Sequence, residues 1–443
     1  MGTKISKIEI QNFKTFDKIE LKLKDFNLVI GLNASGKSNF IATFRFLRDI
    51  VTEGLDNAIS LQGGMEYLLN SKHGFNKNFS INIEFSTKNN YIQVPLKDAK
   101  DRVEEFGIKI PEFDKVPKSL MVDLKKTQYE FELQFSESHE YIIIKDVLKT
   151  SGKVFIANEN LIDDDNIKFK NKEIIGNIEF TTTFQKGYLD FQLNGTFDEN
   201  YEKLLKDIFY LRRPIKVPEK SLLLESPSFI ESAIAEIFVK NLVIYDIDPK
   251  ESKKGAYIGG KKELNENGSN LALTIRNIIK DDKKRDEFCT LVNDLLPFVD
   301  GFNVEPFAGK NLIFKMKEKY NDDYWPASFL SDGTVNVISL IVATNFEEKP
   351  LKIFEEPEKN IHPSLIPKIL HLFKDASEES QIIITSHNPE FVKHADIHDI
   401  FFIKRDDNGY SQITRPQNFK KVKMFLESEL GLNELFIRNL IGE

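Results

Sequence analysis

Residues 31–38 read Gly31-Leu-Asn-Ala-Ser-Gly36-Lys37-Ser38. They stand between a short, mostly apolar run, Phe26 to Ile30, and a stretch in which Phe40, Phe44, Leu47 and Val51 recur four, three and four residues apart. The first run suits a buried strand and the second spacing suits one face of a helix. Strand, glycine loop and helix in that order complete a GxxxxGK[ST] phosphate loop. Its glycines let backbone N–H groups turn inward around phosphates, Lys37 reaches the β and γ phosphates, and the Ser38 hydroxyl ligates Mg²⁺.

Upstream of the loop, Ile5, Ile8 and Ile10, then Ile19, Leu21 and Leu23, alternate with polar residues as strands do. Downstream, from about 79 to 195, short strand-like segments (FSINIEF, YEFELQF, YIIIK, NIEFTTTF, YLDFQL) are separated by polar loops, which predicts an antiparallel β region. From about 198 to 300 helical periodicity takes over, in Tyr201 to Leu211 and in Leu271 to Leu296. It is interrupted by 214–220 and by 249–262, PKESKKGAYIGGKK, which reads as a flexible exposed loop. Beyond 301 strands and helices alternate again. The expected organisation is an N-terminal lobe over 1–195 with the phosphate loop and the β insertion, a helical subdomain over 196–300, and a C-terminal lobe over 301–443.

Three further motifs carry chemistry. Leu351-Lys-Ile-Phe-Glu355-Glu356-Pro-Glu358 is a buried strand ending in acids, and a parallel sheet presents such an end where nucleotides bind. Glu355 is then the acid on the Mg²⁺ side and Glu356 the base that orients the attacking water. Ile382-Ile-Ile-Thr-Ser386-His387-Asn-Pro is a second buried strand, and His387 at its end can bond the γ-phosphate and sense its presence. Leu330-Ser331-Asp-Gly333-Thr334 opens a helix with Val337, Leu340 and Ile341 on its apolar face. It is an N-cap in any case, and Ser331 and Gly333 also suit a γ-phosphate, though they lie too far along the chain to be assumed to face its own phosphate loop. His394 and His398, four apart, are set aside as a metal pair for want of a carboxylate or cysteine at helical spacing.

The composition bounds these readings. At 41% hydrophobic and 29% charged the 443 residues are those of a globular chain, and 37 Phe against one Trp predict a core built on Phe. A net charge of −8 excludes a uniformly basic surface, so any nucleic-acid contact needs a local patch. The single Cys289, in an apolar stretch, reads as a small buried side chain; one cysteine makes no disulfide framework and points to a reducing cytoplasm. The longest nearly apolar run, Val337 to Ala343, is far short of the ~20 residues that span a bilayer. The Gly2 myristoylation pattern is set aside because the residues after it alternate as a strand.

In this order the motifs resemble the ABC-type ATPase heads of the SMC, RecF and OLD group, and more closely the stand-alone AAA-type ATPases of bacteria and archaea. The resemblance is carried by IEIQNFKTF and GLNASGKSN, by Arg45-Phe-Leu-Arg48, ELNENGSNLA (263–272), LSDGT, FEEPEKNIHP and TSHNPEF. It implies an α/β P-loop NTPase fold, an ABC/SMC-type head with an antiparallel β subdomain and a helical insertion. It also implies ATP with Mg²⁺, held by Gly31, Asn33, Ala34, Ser35, Gly36, Lys37, Ser38 and Asn39, with Ser38 and Glu355 on the metal. Ser331 and Gly333 of a second copy would close over the γ-phosphate in a homodimer or higher oligomer, with Glu356 as catalytic base and His387 as switch.

Glu355 departs from the Asp of the wider superfamily, which puts fast turnover in question. No clear Q-loop glutamine is found beyond Gln62 and Gln93. The 56 residues after His387 are too few for the nuclease domain of OLD-type relatives, and the insertion shows no heptads for an SMC coiled coil. The role implied is a sensor or scaffold ATPase in antiviral defence, working with a separately encoded effector nuclease. A RecF-like ATPase that grips DNA, with the lysines of 250–262 as its patch, and a nucleotide-binding scaffold without turnover are the alternatives.

Overall fold

The computed structural model describes residues 3–95, 119–163, 166–185, 188–197, 215–216, 218–225, 239, 241–307 and 309–415. The helix expected over Tyr201 to Leu211 lies outside them. The chain forms two compact units, each assembled from segments distant in sequence: 1–23 with 46–240, and 24–45 with 241–443. One division falls inside the helix Lys37–Glu53, between Arg45 and Phe46.

The second unit holds the phosphate loop. Its six-stranded sheet runs Val243–Tyr245, Leu351–Glu355, Gln381–Ser386, Phe26–Ile30, Ile400–Arg405, Ser411–Thr414, parallel throughout except for the last strand. A parallel sheet is covered on both faces, which is why its strands read as near-continuous apolar runs: Leu28, Ile30, Ile382, Ile383 and Ile384 are fully buried. The strand Phe26–Ile30 lies between two partners more than 350 residues away in sequence, and the pairing aligns Glu355 with Thr385 and Thr385 with Val29. The acids, the Ser386–His387 turn and the phosphate loop therefore leave the sheet at one edge.

The helix Asp332–Asn345 is buried around its whole circumference from Val335 to Thr344, not on the one face its spacing suggested. Leu271 to Leu296 is two helices, Leu271–Ile279 and Asp282–Leu295; Asp281 breaks the run by capping the second, its carboxylate accepting the Lys284 N–H. Residues 249–262 contain a helical turn, Pro249–Ser252, and the strand Ala256–Tyr257, which pairs with Asn311–Glu318. The stretch is largely exposed, as expected, from Lys254 to Lys262 apart from the buried Ala256, but it is not all loop: Ser252 is fully buried, and Lys253 is ion-paired to Asp332.

The first unit is an eight-stranded antiparallel sheet in the order Phe16–Lys22, Thr3–Phe13, Phe79–Pro95, Ser119–Phe135, Tyr141–Asp163, Asn166–Gln185, Tyr188–Phe197, Ile215–Lys216. Phe packs its core: Phe13, Phe46 and Phe131 all lie within 5.8 Å, centroid to centroid, of Phe79. Each such ring contributes roughly 1.5–3 kcal/mol by its burial. In the second unit Cys289, expected to be buried, is partly buried, next to the fully buried Phe288.

Candidate active site

The strand Phe26–Ile30 ends because the chain must turn sharply at Gly31. A Cβ there would stand 2.5 Å from Ile403 Cγ2 and from Ser35 Oγ, so the position admits only glycine. Ala34 at φ 62° and Gly36 at φ 114° complete a loop of left-handed backbone. The last two strands of the sheet brace it: Arg405 Nε donates to the Ala34 carbonyl at 3.1 Å, and Ser411 Oγ to the Ser35 carbonyl at 2.7 Å. Neither residue carried a sequence signal; each is identified only by the strand it stands on. Asn33 and Ala34 are exposed, while Ser35 is buried and its Oγ has no hydrogen-bond partner among the described residues.

Lys37 is 6% exposed and donates to the carbonyls of Gly31 at 2.9 Å and Leu32 at 3.1 Å. Its Nζ also lies 3.6 Å from Glu356 Oε1. Burial pulls its pKa down, and the facing Glu356 opposes that shift. Ser38 Oγ donates to Glu355 Oε1 at 2.6 Å. A hydroxyl and a carboxylate in contact at a loop that cradles phosphate are the two hard oxygen ligands that Mg²⁺ takes from protein, its remaining positions going to water and phosphate. No group of three or more His, Cys, Asp or Glu that could hold a metal occurs among the described residues.

Glu356 follows the strand at φ 46°, a left-handed conformation rare outside glycine, and its N–H bonds the Thr385 carbonyl at 2.9 Å. That turn aims its Oε1 between Lys37 and His387, whose Nδ1 stands 2.9 Å away. Lys37, Ser38, Glu355, Glu356 and His387 thus form one constellation.

Ser331 and Gly333 make their contacts elsewhere. Ser331 caps its helix by accepting the Thr334 N–H at 3.0 Å, and a Cβ on Gly333 would stand 2.5 Å from the Asn360 carbonyl. Gly333 is therefore required by its own chain, whatever else it meets. Gln62, partly buried, ends the helix Leu55–Leu61, and the side chain of Gln93 lies outside what is described. His394 does have a carboxylate at helical spacing, contrary to the sequence reading: Glu390, at 3.5 Å.

Sequence reasoning missed Glu358. It is 6% exposed beside the site, and burial raises its pKa. The EEPE string gives no sign that its last acid turns inward.

The family model described as "AAA domain, putative AbiEii toxin, Type IV TA system" matches residues 26–393. The chain belongs to this family. Its fold is the α/β fold of an AAA-type P-loop domain. The endonuclease GajA of Bacillus cereus (strain VD045) is 44% identical over 46 residues, which are 10% of this chain and only 8% of the endonuclease. Among solved structures, the Smc head bound to the C-winged helix domain of ScpA aligns at 16% identity over 93% of this chain and 97% of its own, with a TM-score of 0.44. The SMC head domain from Thermotoga maritima aligns at 12% identity over 93% and 98%, with a TM-score of 0.35. No helix among the described residues of this AAA-family chain is long and apolar enough to cross a membrane.

Proposed function

We propose that the chain hydrolyses ATP at the 31–39 loop, and that two copies pair on ATP so that Ser331 and Gly333 of one meet the nucleotide of the other. The observation that carries this reading is the position of Glu356, within 3.6 Å of the phosphate-loop lysine and 2.9 Å of His387. Lys37 supplies a fixed positive charge for the β and γ phosphates. Glu356 accepts the proton of the attacking water, while the His387 imidazole holds the Glu356 carboxylate in place. When bound by Ser38 and Glu355, magnesium would neutralise charge on the phosphate oxygens.

The short likeness to an endonuclease and the family membership support a sensor or scaffold role in antiviral defence with a separate effector. In the patch of the DNA-gripping alternative, Lys253, Lys254 and Lys261 are ion-paired, to Asp332, Glu251 and Glu263, which lowers its net positive charge, while Lys250 and Lys262 are exposed. Binding without turnover stays in view because Glu355 replaces the shorter Asp.

Phosphate release by wild type and Glu356→Gln separates these readings. A general base contributes about 10²–10⁴ in rate, so the variant should fall by about a hundredfold or more while still binding ATP. Equal, measurable rates would remove Glu356 from catalysis, and a wild type that binds ATP without releasing phosphate would leave the scaffold reading.

A further inference from the structure

A carboxyl group buried beside two other acids is costly unless something binds it. Glu358 is such a group. Its Oε1 accepts the hydroxyl of Ser386, while its Oε2 has no partner among the described residues. Ser386 Oγ in turn accepts the Asn388 N–H at 2.9 Å, and Asn388 Oδ1 accepts the Glu390 N–H at 2.9 Å, capping the helix Pro389–His394. The segment that carries His387 is therefore anchored link by link to one buried carboxyl.

The anchor is itself fixed. The Ile361 N–H bonds the Glu358 carbonyl at 3.0 Å, and the buried Asn336 donates to the carbonyls of Pro357 at 3.0 Å and Lys359 at 2.6 Å. The imidazole Nδ1 of His387 then faces oxygen on two sides, Glu356 Oε1 at 2.9 Å and Glu358 Oε1 at 3.9 Å. A ring nitrogen between two such acceptors carries the proton.

We propose that Glu358 is a positioning residue: through Ser386 it fixes the turn that presents the Nδ1–H of His387 to Glu356. The proposal rests on the ATPase reading given above. Glu358 touches no reacting atom; its effect passes through the geometry of the Glu356–His387 pair, where a displacement of about 1 Å costs on the order of 10²-fold in rate.

Three variants of the full chain test it: Glu358→Gln, Glu358→Ala and Ser386→Ala. Glutamine keeps an acceptor for the Ser386 hydroxyl and should hold kcat within about threefold of wild type, whereas Glu358→Ala and Ser386→Ala should each lower kcat about tenfold or more. Affinity for a fluorescent ATP analogue should stay unchanged in all three, since Lys37 and Ser38 are not touched. The double variant should be no worse than the worse single one, because both remove the same link. Wild-type kcat in Ser386→Ala, additive losses in the double variant, or a loss of nucleotide affinity equal to the loss of kcat would overturn the proposal.

A second readout needs no turnover. In the nucleotide-free protein, ¹⁵N spectra of the His387 ring should show the Nδ1–H tautomer in wild type and Glu358→Gln, and a mixture in Ser386→Ala. An unchanged ring in Ser386→Ala overturns the proposal even if the wild type hydrolyses no ATP, which by itself would sink only the ATPase reading.

Discussion

Gly31 shows what a single position in this site must satisfy. A methyl group there would meet Ile403 Cγ2 at 2.5 Å and the Ile403 carbonyl at 2.6 Å, and a strand backbone has no room to yield. Overpacking of this kind costs roughly 1–3 kcal/mol. Gly31→Ala should therefore lower the melting temperature by about 2–12 °C, at roughly 2–4 °C per kcal/mol for a unit of this size. An unchanged melting curve would show that the close contact is not felt. Other residues were legible from type and spacing alone: Lys37 and Ser38 complete a GxxxxGK[ST] loop, and Glu355, Glu356 and His387 each end an apolar run of buried-strand length. Glu355 reaches Ser38 Oγ at 2.6 Å, so the longer side chain makes the contact expected of the shorter Asp. Glu358, Arg405 and Ser411 were not legible, because what defines them is the neighbour across the sheet or turn.

At the scale of elements, periodicity predicted strands and helices well where one rule applied and failed where two competed. The helix Lys37–Glu53 and the strands Leu351–Glu355 and Gln381–Ser386 match their sequence patterns. The break at Asp281 falls in the charged run Lys280 to Glu287, where no apolar residue marks a helical face and a single long helix was read across the gap, and the short helix and strand within 249–262 were hidden because its Lys, Gly and Ser composition resembles that of a loop. The long sheet of the first unit holds a feature that composition conceals entirely. Asp146, fully buried, accepts the Tyr129 hydroxyl at 2.8 Å and the Leu223 N–H at 2.7 Å. Burial pushes its pKa up to about 7, the two hydrogen bonds resisting.

The folded chain thus keeps a proton that the unfolded chain releases near pH 4. The stabilisation is complete below that pH and is lost as pH rises through about 7, by about 4 kcal/mol in all. Asp146→Asn, neutral at every pH and still able to accept from Leu223, should remove this part of the pH dependence. Its melting temperature relative to wild type should rise between pH 5 and pH 8; parallel curves would show that Asp146 does not titrate in this way.

For the whole molecule, neither unit is continuous in sequence. The phosphate loop and the strands that complete its sheet belong to one unit, yet the stretch Phe46–Lys240 of the other intervenes between Arg45 and Asn241. No local pattern reveals that Phe26–Ile30 lies beside Gln381–Ser386, so the gathering of the distant motifs was legible through the rule that a parallel sheet presents its strand ends to nucleotide, and through resemblance to a family. The central claim is that each chain supplies half of a composite ATPase site: Lys37 from one copy and Ser331 from the other. The most direct test is phosphate release by Lys37→Ala, by Ser331→Arg, and by an equal mixture of the two. Neither variant alone should release phosphate. Two-fold pairing should restore about a quarter of wild-type activity in the mixture, because half of the dimers hold one intact site of two. A mixture as inactive as its components, or an active Ser331→Arg chain, would contradict the account.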